Sequence, residues 1–267
     1  MGISVLNYFP RLRRLLRIML SYFHVSVRVP ASYIYLKGKE ADVEGRRLRN
    51  SWQDISLPQR QWELVESQLH QFRMGARVDV FDVFVNSIKC LSNLGANASL
   101  LEVGCASGFY SEVLGISGLQ VKYSGCDYSD SFIKMAKERY PSVEFKVEDA
   151  TEMHFEDGSF DIVLSGCCLL HIPEYVKGVE EAVRVARSFV IFHRTPVVWG
   201  QPERWFRKQA YGVETVEIHF NERDFLVLLA KNGLELIAAY TLSEEYTDVS
   251  FTQGYANRTY VCRKKSR

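Results

Sequence analysis

Residues 102–108, Glu-Val-Gly-Cys-Ala-Ser-Gly, set an acid and then small residues at 104, 106 and 108 directly after the apolar pair Leu100-Leu101. Small side chains let backbone approach a ligand closely, and Gly104 and Gly108 can take positive φ. An acid at a strand end, followed by a glycine-rich turn into a helix, is how an open α/β sheet builds a nucleotide-like site. A second acid, Asp127, stands twenty-five residues after Glu102, at the end of a second strand-like run from Val121 to Cys126. An acid in that place holds a ribose diol through both carboxylate oxygens. The competing structure is a tight strand-to-helix turn with no ligand, because glycine-rich loops are common.

The elements that must position these groups follow in order. A helix is expected from Phe109 to about Gly115, and a second from a Ser129 cap to about Tyr140, with Phe132, Ile133 and Ala136 inward. A third strand, Val143 to Val147, leads to Glu148-Asp149-Ala150. The fourth, Phe160 to Leu164, opens into Ser165-Gly166-Cys167-Cys168-Leu169-Leu170-His171, and the fifth, Val190 to Phe192, runs into His193-Arg194-Thr195-Pro196. Asn221 reads as the N-cap of a helix over Glu222 to Asn232 that Gly233 ends. Leu234 to Leu242 and about Thr259 to Cys262 supply the last, antiparallel strands.

In this order and spacing the pieces LLEVGCASGFY, CDYSDSFIKMAKERYP, VEDATEMHFEDGSFDIVLSGCCLLHIPE and SFVIFHRTP, from about Ser99 to Thr195, resemble the class I S-adenosylmethionine-dependent methyltransferases of small-molecule and lipid type. The resemblance implies an α/β fold: a doubly wound, seven-stranded, Rossmann-like sheet with a helical N-terminal extension (1–98) and a cap after the fifth strand (197–220) within a methyltransferase domain at 99–267. It implies S-adenosylmethionine as cofactor. Glu102 would orient the methionine amino group, and Gly104, Ala106 and Gly108 would floor the methionine and ribose. Asp127 would bind the ribose hydroxyls and Tyr128 would pack on the adenine. Asp149 would accept from the adenine amino group, Ala150 would leave room for the ring, and Ser165 and Gly166 would lie along the methionine arm. Ala106 departs from the family, which most often has glycine there. The stretches HRTP and YGVETVEIHFNE are similar to a bacterial subgroup associated with surface-glycan pathways.

A dinucleotide-binding oxidoreductase is the natural competitor, but its G-x-G-x-x-G fingerprint meets Ala106 at the second glycine. A methyltransferase fold kept as a non-catalytic binding or scaffold protein is the other; the set Glu102, Asp127 and Asp149 argues against it, since a scaffold has no need of cofactor ligands. Methyl transfer from a sulfonium mainly requires that the acceptor be positioned and desolvated. A hydroxyl acceptor, favoured here over nitrogen, also has a proton to lose, and His171 and His193 are the candidate bases, with His219 behind them. Each has a structural alternative as a hydrogen-bonded imidazole. Ser165-Gly166-Cys167-Cys168 offers neither an Asp-Pro-Pro-Tyr motif nor a carboxylate of the kind that holds Mg²⁺ in catechol-type enzymes, so metal-independent transfer to something other than DNA is expected.

The 267 residues, 47% hydrophobic and 13% aromatic with a formal charge of +1, suit one large, well-packed domain and give no electrostatic reason for a nucleic-acid partner. Six cysteines without C-x-x-C spacing read as reduced, mostly buried residues and favour a cytoplasmic address. No apolar run approaches the ~20 residues of a membrane span. Helical spacing of Trp62, Val65, Leu69 and Phe72, and of Phe81, Val85, Ile88 and Leu91, predicts two helices before the first strand. The first forty residues carry seven basic side chains before the first acid, Glu40. Within 8–23, Tyr8, Leu12, Leu15, Leu16, Met19 and Phe23 share one helical face opposite Arg13, Arg14 and Arg17. Such a helix suits docking on the core, peripheral contact with a membrane, or a targeting role. The expected partner is a small-molecule or lipid- or glycan-linked acceptor.

Overall fold

The computed structural model describes residues 33–265, apart from 93, 96, 249 and 251. The basic amphipathic segment expected at 8–23 lies outside the described residues.

Five parallel strands form the centre: β2 (Ala98–Val103), β3 (Val121–Asp127), β4 (Glu144–Val147), β5 (Phe160–Gly166) and β6 (Ala186–Trp199). The flanking strand β1 is Ile34–Leu36, and the later strands are β7 (Arg204–Ala210), β8 (Val213–Asn221), β9 (Leu234–Tyr246) and β10 (Gly254–Lys264). Helices α1 (Lys39–Arg49), α2 (Leu57–Arg73), α3 (Asp79–Lys89), α4 (Tyr110–Ile116), α5 (Asp130–Arg139), α6 (Tyr175–Val185) and α7 (Glu222–Lys231), with short 3₁₀ helices at Asn50–Gln53 and Leu169–His171, complete the described elements. Seven strands run β4-β3-β2-β5-β6-β10-β9, with β10 antiparallel to both β6 and β9. The order reverses at β2, from which the chain winds outward through β3 and β4 on one side before returning to β5 on the other, and an open α/β sheet has its binding crevice at such a point.

Side-chain alternation gives the sheet two cores. Leu101, Val103, Val163, Val190 and Phe192 face Val179, Ala182 and Val183 of α6 and Phe225 and Leu229 of α7. Leu100, Ile162, Leu164, Ile191 and Val261 face Trp62, Val65 and Leu69 of α2, Phe81, Phe84 and Ile88 of α3, and Tyr110 and Val113 of α4. Buried on both sides, these strands read as near-continuous apolar runs. Helices α2 and α3 thus share a core with the strands. The 98/99 boundary drawn from the sequence does not divide contacts, and one compact unit covers everything from residue 32 onward.

Two expectations are corrected. The segment after the fifth strand is not a separate cap but more sheet. Strand β6 runs well past the end of β5, and on the side that β5 leaves, its Val197 and Val198 pair in parallel with Phe220 and Asn221 of β8. Strands β8, β7 and β1 then extend the sheet antiparallel, making ten strands where seven were expected. The sequence VETVEIHF alternates faces and so forms a strand, with Val216, Ile218 and Phe220 packed in the first core. Ser129 holds the N-cap position of α5, but its side chain makes no capping bond; its hydroxyl pairs with Ser131 Oγ at 2.9 Å. Asn221 does cap α7, accepting from Asp224 N at 3.1 Å.

Candidate active site

The carboxyl ends of β2, β3 and β5 bring the expected cofactor residues together. After β2 the chain turns through Gly104 at φ 72° and Gly108 at φ 75°. A Cβ on Gly104 would overlap the Cys168 side chain, and one on Gly108 would stand 2.5 Å from the Phe145 ring. Both conformation and space therefore require glycine. The amides of Gly104 and Cys105 both donate to Cys126 O, at 2.8 and 2.9 Å, tying the turn to β3. Ala106 adopts φ 47°, a conformation that favours glycine. Its methyl is buried with Leu57 and Phe132, so the departure from glycine is absorbed by packing on α2 and α5.

Asp127 ends β3 and is oriented by backbone: Oδ2 accepts from Ala106 N at 2.8 Å and Oδ1 from Ser129 N at 2.9 Å. Each oxygen keeps a lone pair for a further donor. Desolvation raises its pKa, against the pull of the amides of Ser129, Ala106 and Tyr128. Glu102, 1% exposed, accepts from the Tyr123 hydroxyl through Oε2, while Oε1 lies against Gly166 at the end of β5. Desolvation holds its pKa well above the usual carboxylate range; Tyr123 opposes this and Asp127 adds to it. Ser165 is buried beside Val103 in the β2–β5 register, one residue before Gly166.

On the other flank, Asp149 Oδ1 accepts from the Thr151 amide at 2.9 Å and hydroxyl at 2.7 Å, while Oδ2 pairs with Arg49 from the end of α1. Burial alone would raise its pKa, but Thr151 and Arg49 bring it below the usual value. Arg49 also lies 5.5 Å from the centre of the Tyr128 ring, whose hydroxyl donates to Asn50 Oδ1 at 3.1 Å. The end of α1 thus covers the side where the sequence places an adenine. Ala150, partly buried, packs on the first core beside them.

The histidines differ in what they leave free. His171, just past β5, hydrogen-bonds Val216 O of β8 through Nδ1 at 2.7 Å. A carbonyl only accepts, so Nδ1 carries the proton and Nε2 keeps its lone pair. Burial lowers the His171 pKa despite nearby Glu217, so the ring is neutral at pH 7. His193, 1% exposed, uses both nitrogens: Nδ1 meets Thr259 Oγ1 at 2.8 Å and Nε2 meets the Tyr110 hydroxyl at 2.9 Å. Its pKa is well below the usual value, through desolvation and then Arg194.

Sequence reasoning did not single out the cluster of aromatic and charged side chains that the added strands bring together beyond β5. Trp52 lies 4.6 Å from His171 between ring centres, and Tyr211, at the β7–β8 turn, lies 6.4 Å from Trp52. Glu217 of β8 accepts from Lys208 of β7 at 2.5 Å, His219 Nε2 at 2.9 Å and the Tyr33 hydroxyl at 3.1 Å. Burial would raise the Glu217 pKa, but His219 and Lys208 bring it to about 2. The signal was present in Glu217 and His219, polar residues two apart on a strand whose other face is apolar.

The fold is that of the class I S-adenosylmethionine-dependent methyltransferases. Residues 101–192 match the family described as "Methyltransferase domain". The demethylmenaquinone methyltransferase of Beutenbergia cavernae is 34% identical over 99 residues, 36% of this chain and 40% of that protein. The Bacillus licheniformis enzyme of the same name is 29% identical over 127 residues, 45% of this chain and 53% of that one. The matched stretch therefore spans about half or less of these relatives. Among solved structures, the 1,6-didemethyltoxoflavin-N1-methyltransferase of Burkholderia thailandensis, crystallised with its acceptor and S-adenosylhomocysteine, superposes with a TM-score of 0.56 at 15% identity, covering 90% of this chain and 98% of that one. The cyclase SpnF shares the fold at a TM-score of 0.51 and 15% identity over 70% of this chain and 82% of its own. Fold alone does not fix the reaction.

Proposed function

We propose that this protein transfers a methyl group from S-adenosylmethionine to a small-molecule acceptor, at oxygen rather than nitrogen. One observation supports it above the others: Glu102, Asp127 and the turn at 104–108 meet at the sheet's topological switch point, with backbone orienting Asp127. They fit the cofactor, because the turn is a cradle that a Cβ would fill and Glu102 Oε1 has no donor among the described residues. When bound, the cofactor supplies an activated methyl group. Asp127 holds the ribose hydroxyls and Glu102 orients the methionine ammonium. Asp149 and Tyr128 form the adenine side, with Arg49 sharing Asp149.

The protein's own part is to position the acceptor, exclude water and take its proton. His171 is the better placed base, with a fixed tautomer, a free Nε2 and a neutral ring. His193 holds Tyr110 in place beside Glu102 and Gly166. Transfer without a metal follows from the absence of a carboxylate in Ser165-Gly166-Cys167-Cys168. No helix among the described residues is long and apolar enough to cross a membrane. Peripheral attachment through 8–23 would suit a lipid-linked acceptor.

The test supplies methyl-labelled cofactor with a panel of hydroxylated aromatic and quinol acceptors. Transfer to an acceptor oxygen that falls ~10²–10⁴-fold in His171→Ala, with cofactor affinity kept, is the expected result. Label appearing on nitrogen or carbon, or a His171→Ala variant of full activity, would overturn the oxygen and base assignments.

A further inference from the structure

Arg194 is a cation without a counter-ion. The groups that face its guanidinium are Cys167, Tyr110, which hydrogen-bonds it, and Tyr211, and no carboxylate pairs with it among the described residues. Nearby acids are engaged elsewhere: Glu217 with Lys208, His219 and Tyr33, Glu102 with Tyr123, and Asp127 with two amides. A largely buried charge left unpaired is costly unless something else satisfies it.

The backbone is bent to put it there. In the β6–β10 ladder Phe192 faces Tyr260 and Thr195 faces Arg258, so His193 and Arg194 together oppose Thr259 alone. This is a β-bulge, a device that re-aims side chains. Arg194 takes φ 59° in it, a left-handed conformation that arginine adopts only under compulsion. Across the β5–β6 pairing Cys167 takes φ 62° and donates its amide to His193 O at 2.9 Å. Strand β5 therefore ends at the level of the bulge, while β6 runs on. The bulge is pinned by Thr259, whose hydroxyl meets the Arg194 amide and His193 Nδ1.

A donor without a partner lies close by: the buried Nε1–H of Trp52 is unsatisfied among the described residues. The Trp52 ring packs on His171 and Tyr211, and Arg194 faces Tyr211. One cation and one N–H call for acceptor oxygens. Free Nε2 of His171 calls for a single proton donor. The aromatic walls call for a flat ring.

We infer that Arg194 binds an anionic oxygen of the acceptor, which is an aromatic hydroxy acid or a comparably anionic ring with its methyl-accepting hydroxyl toward His171. This rests on the transferase reading for its biological meaning, but the anion site can be measured without turnover.

The experiment compares binding of 4-hydroxybenzoate and its neutral analogue 4-hydroxybenzamide by calorimetry, with and without saturating S-adenosylhomocysteine. Wild type should prefer the anion by about tenfold or more, as expected for one charge-assisted hydrogen bond. Arg194→Gln should abolish that preference and Arg194→Lys keep part of it, both with S-adenosylhomocysteine affinity within about threefold of wild type. Arg194→Gly should lose the preference yet melt at a higher temperature, because glycine relieves the positive φ. No preference in wild type, or an equal one in Arg194→Gln, overturns the inference. So does a large loss of S-adenosylhomocysteine affinity in Arg194→Gln, which would assign the guanidinium to the methionine carboxylate. If wild type binds the anion but no S-adenosylhomocysteine, the anion site stands and the transferase reading falls.

Discussion

Glu102→Gln separates a carboxylate kept for a ligand from one kept for the fold. In the free protein the Glu102 side chain is 1% exposed, receives one hydrogen bond, from Tyr123, and has a pKa raised by desolvation. A carboxyl whose folded pKa is raised favours folding most below its unfolded pKa and loses that contribution as pH rises through the folded value. Above it, the protein carries a buried charge with a single donor. Glutamine keeps the shape and accepts the same Tyr123 bond, so the free variant should gain on the order of 1–3 kcal/mol at any pH where the wild-type carboxyl is charged. At about 2–4 °C per kcal/mol for a domain of this size, melting should rise measurably. Cofactor binding should move the other way. Loss of a charged hydrogen bond to the methionine ammonium, ~1.5–3 kcal/mol, weakens S-adenosylhomocysteine binding by roughly ten- to a hundredfold. In wild type that binding should also weaken as pH falls through the raised Glu102 pKa, while the variant shows a flatter profile. Melting curves and calorimetry at several pH values read both effects. A variant less stable than wild type with unchanged affinity would show that Glu102 is only an anchor for Tyr123.

Gly104→Ala must place a Cβ inside the Cys168 side chain at a φ of 72°. It should either fail to fold or lose several kcal/mol of stability together with cofactor binding, by the sum of overpacking and left-handed strain; a stable variant of normal affinity would contradict the cradle. Burial lowers the His171 pKa, so the acid limb of kcat/KM should lie below pH 6.5, shift or vanish in His171→Gln, and leave the neutral range flat. With the folded pKa depressed, the unfolded chain takes up the extra proton, and this group's contribution to stability is lost as pH falls below 6.5. An acid limb well above that value would assign the base elsewhere.

Much of the sheet was legible because its strands are short apolar runs, each closed by residues with chemistry at a fixed place: Glu102 and Gly104, Asp127, then Ser165. The helix that Asn221 caps and Gly233 ends was marked at both ends by local chemistry. Less visible were features that depend on distant pairing. Strands β7 and β8 carry Trp205, Arg207, Lys208 and Glu217, polar or amphipathic side chains that read as a surface cap until Glu44 and Gly45 of α1 and the distant Tyr33 meet them. Arg49 gave no local sign of reaching Asp149, a hundred residues away. The bulge at Arg194 is a property of the ladder with β10, since only the two-against-one match to Thr259 reveals it. His193 looked as available as His171 in the sequence, and only the fold shows both its nitrogens taken by Thr259 and Tyr110.

Calorimetric titration of the full-length protein and its Asp127→Ala variant with S-adenosylhomocysteine tests the central claim most directly. The account predicts one site per chain in wild type. It predicts a loss of roughly ten- to a hundredfold in the variant, from the ~1.5–3 kcal/mol of a charged hydrogen bond to the ribose. A wild type that binds no S-adenosylhomocysteine, or a variant that binds it equally well, would contradict the account.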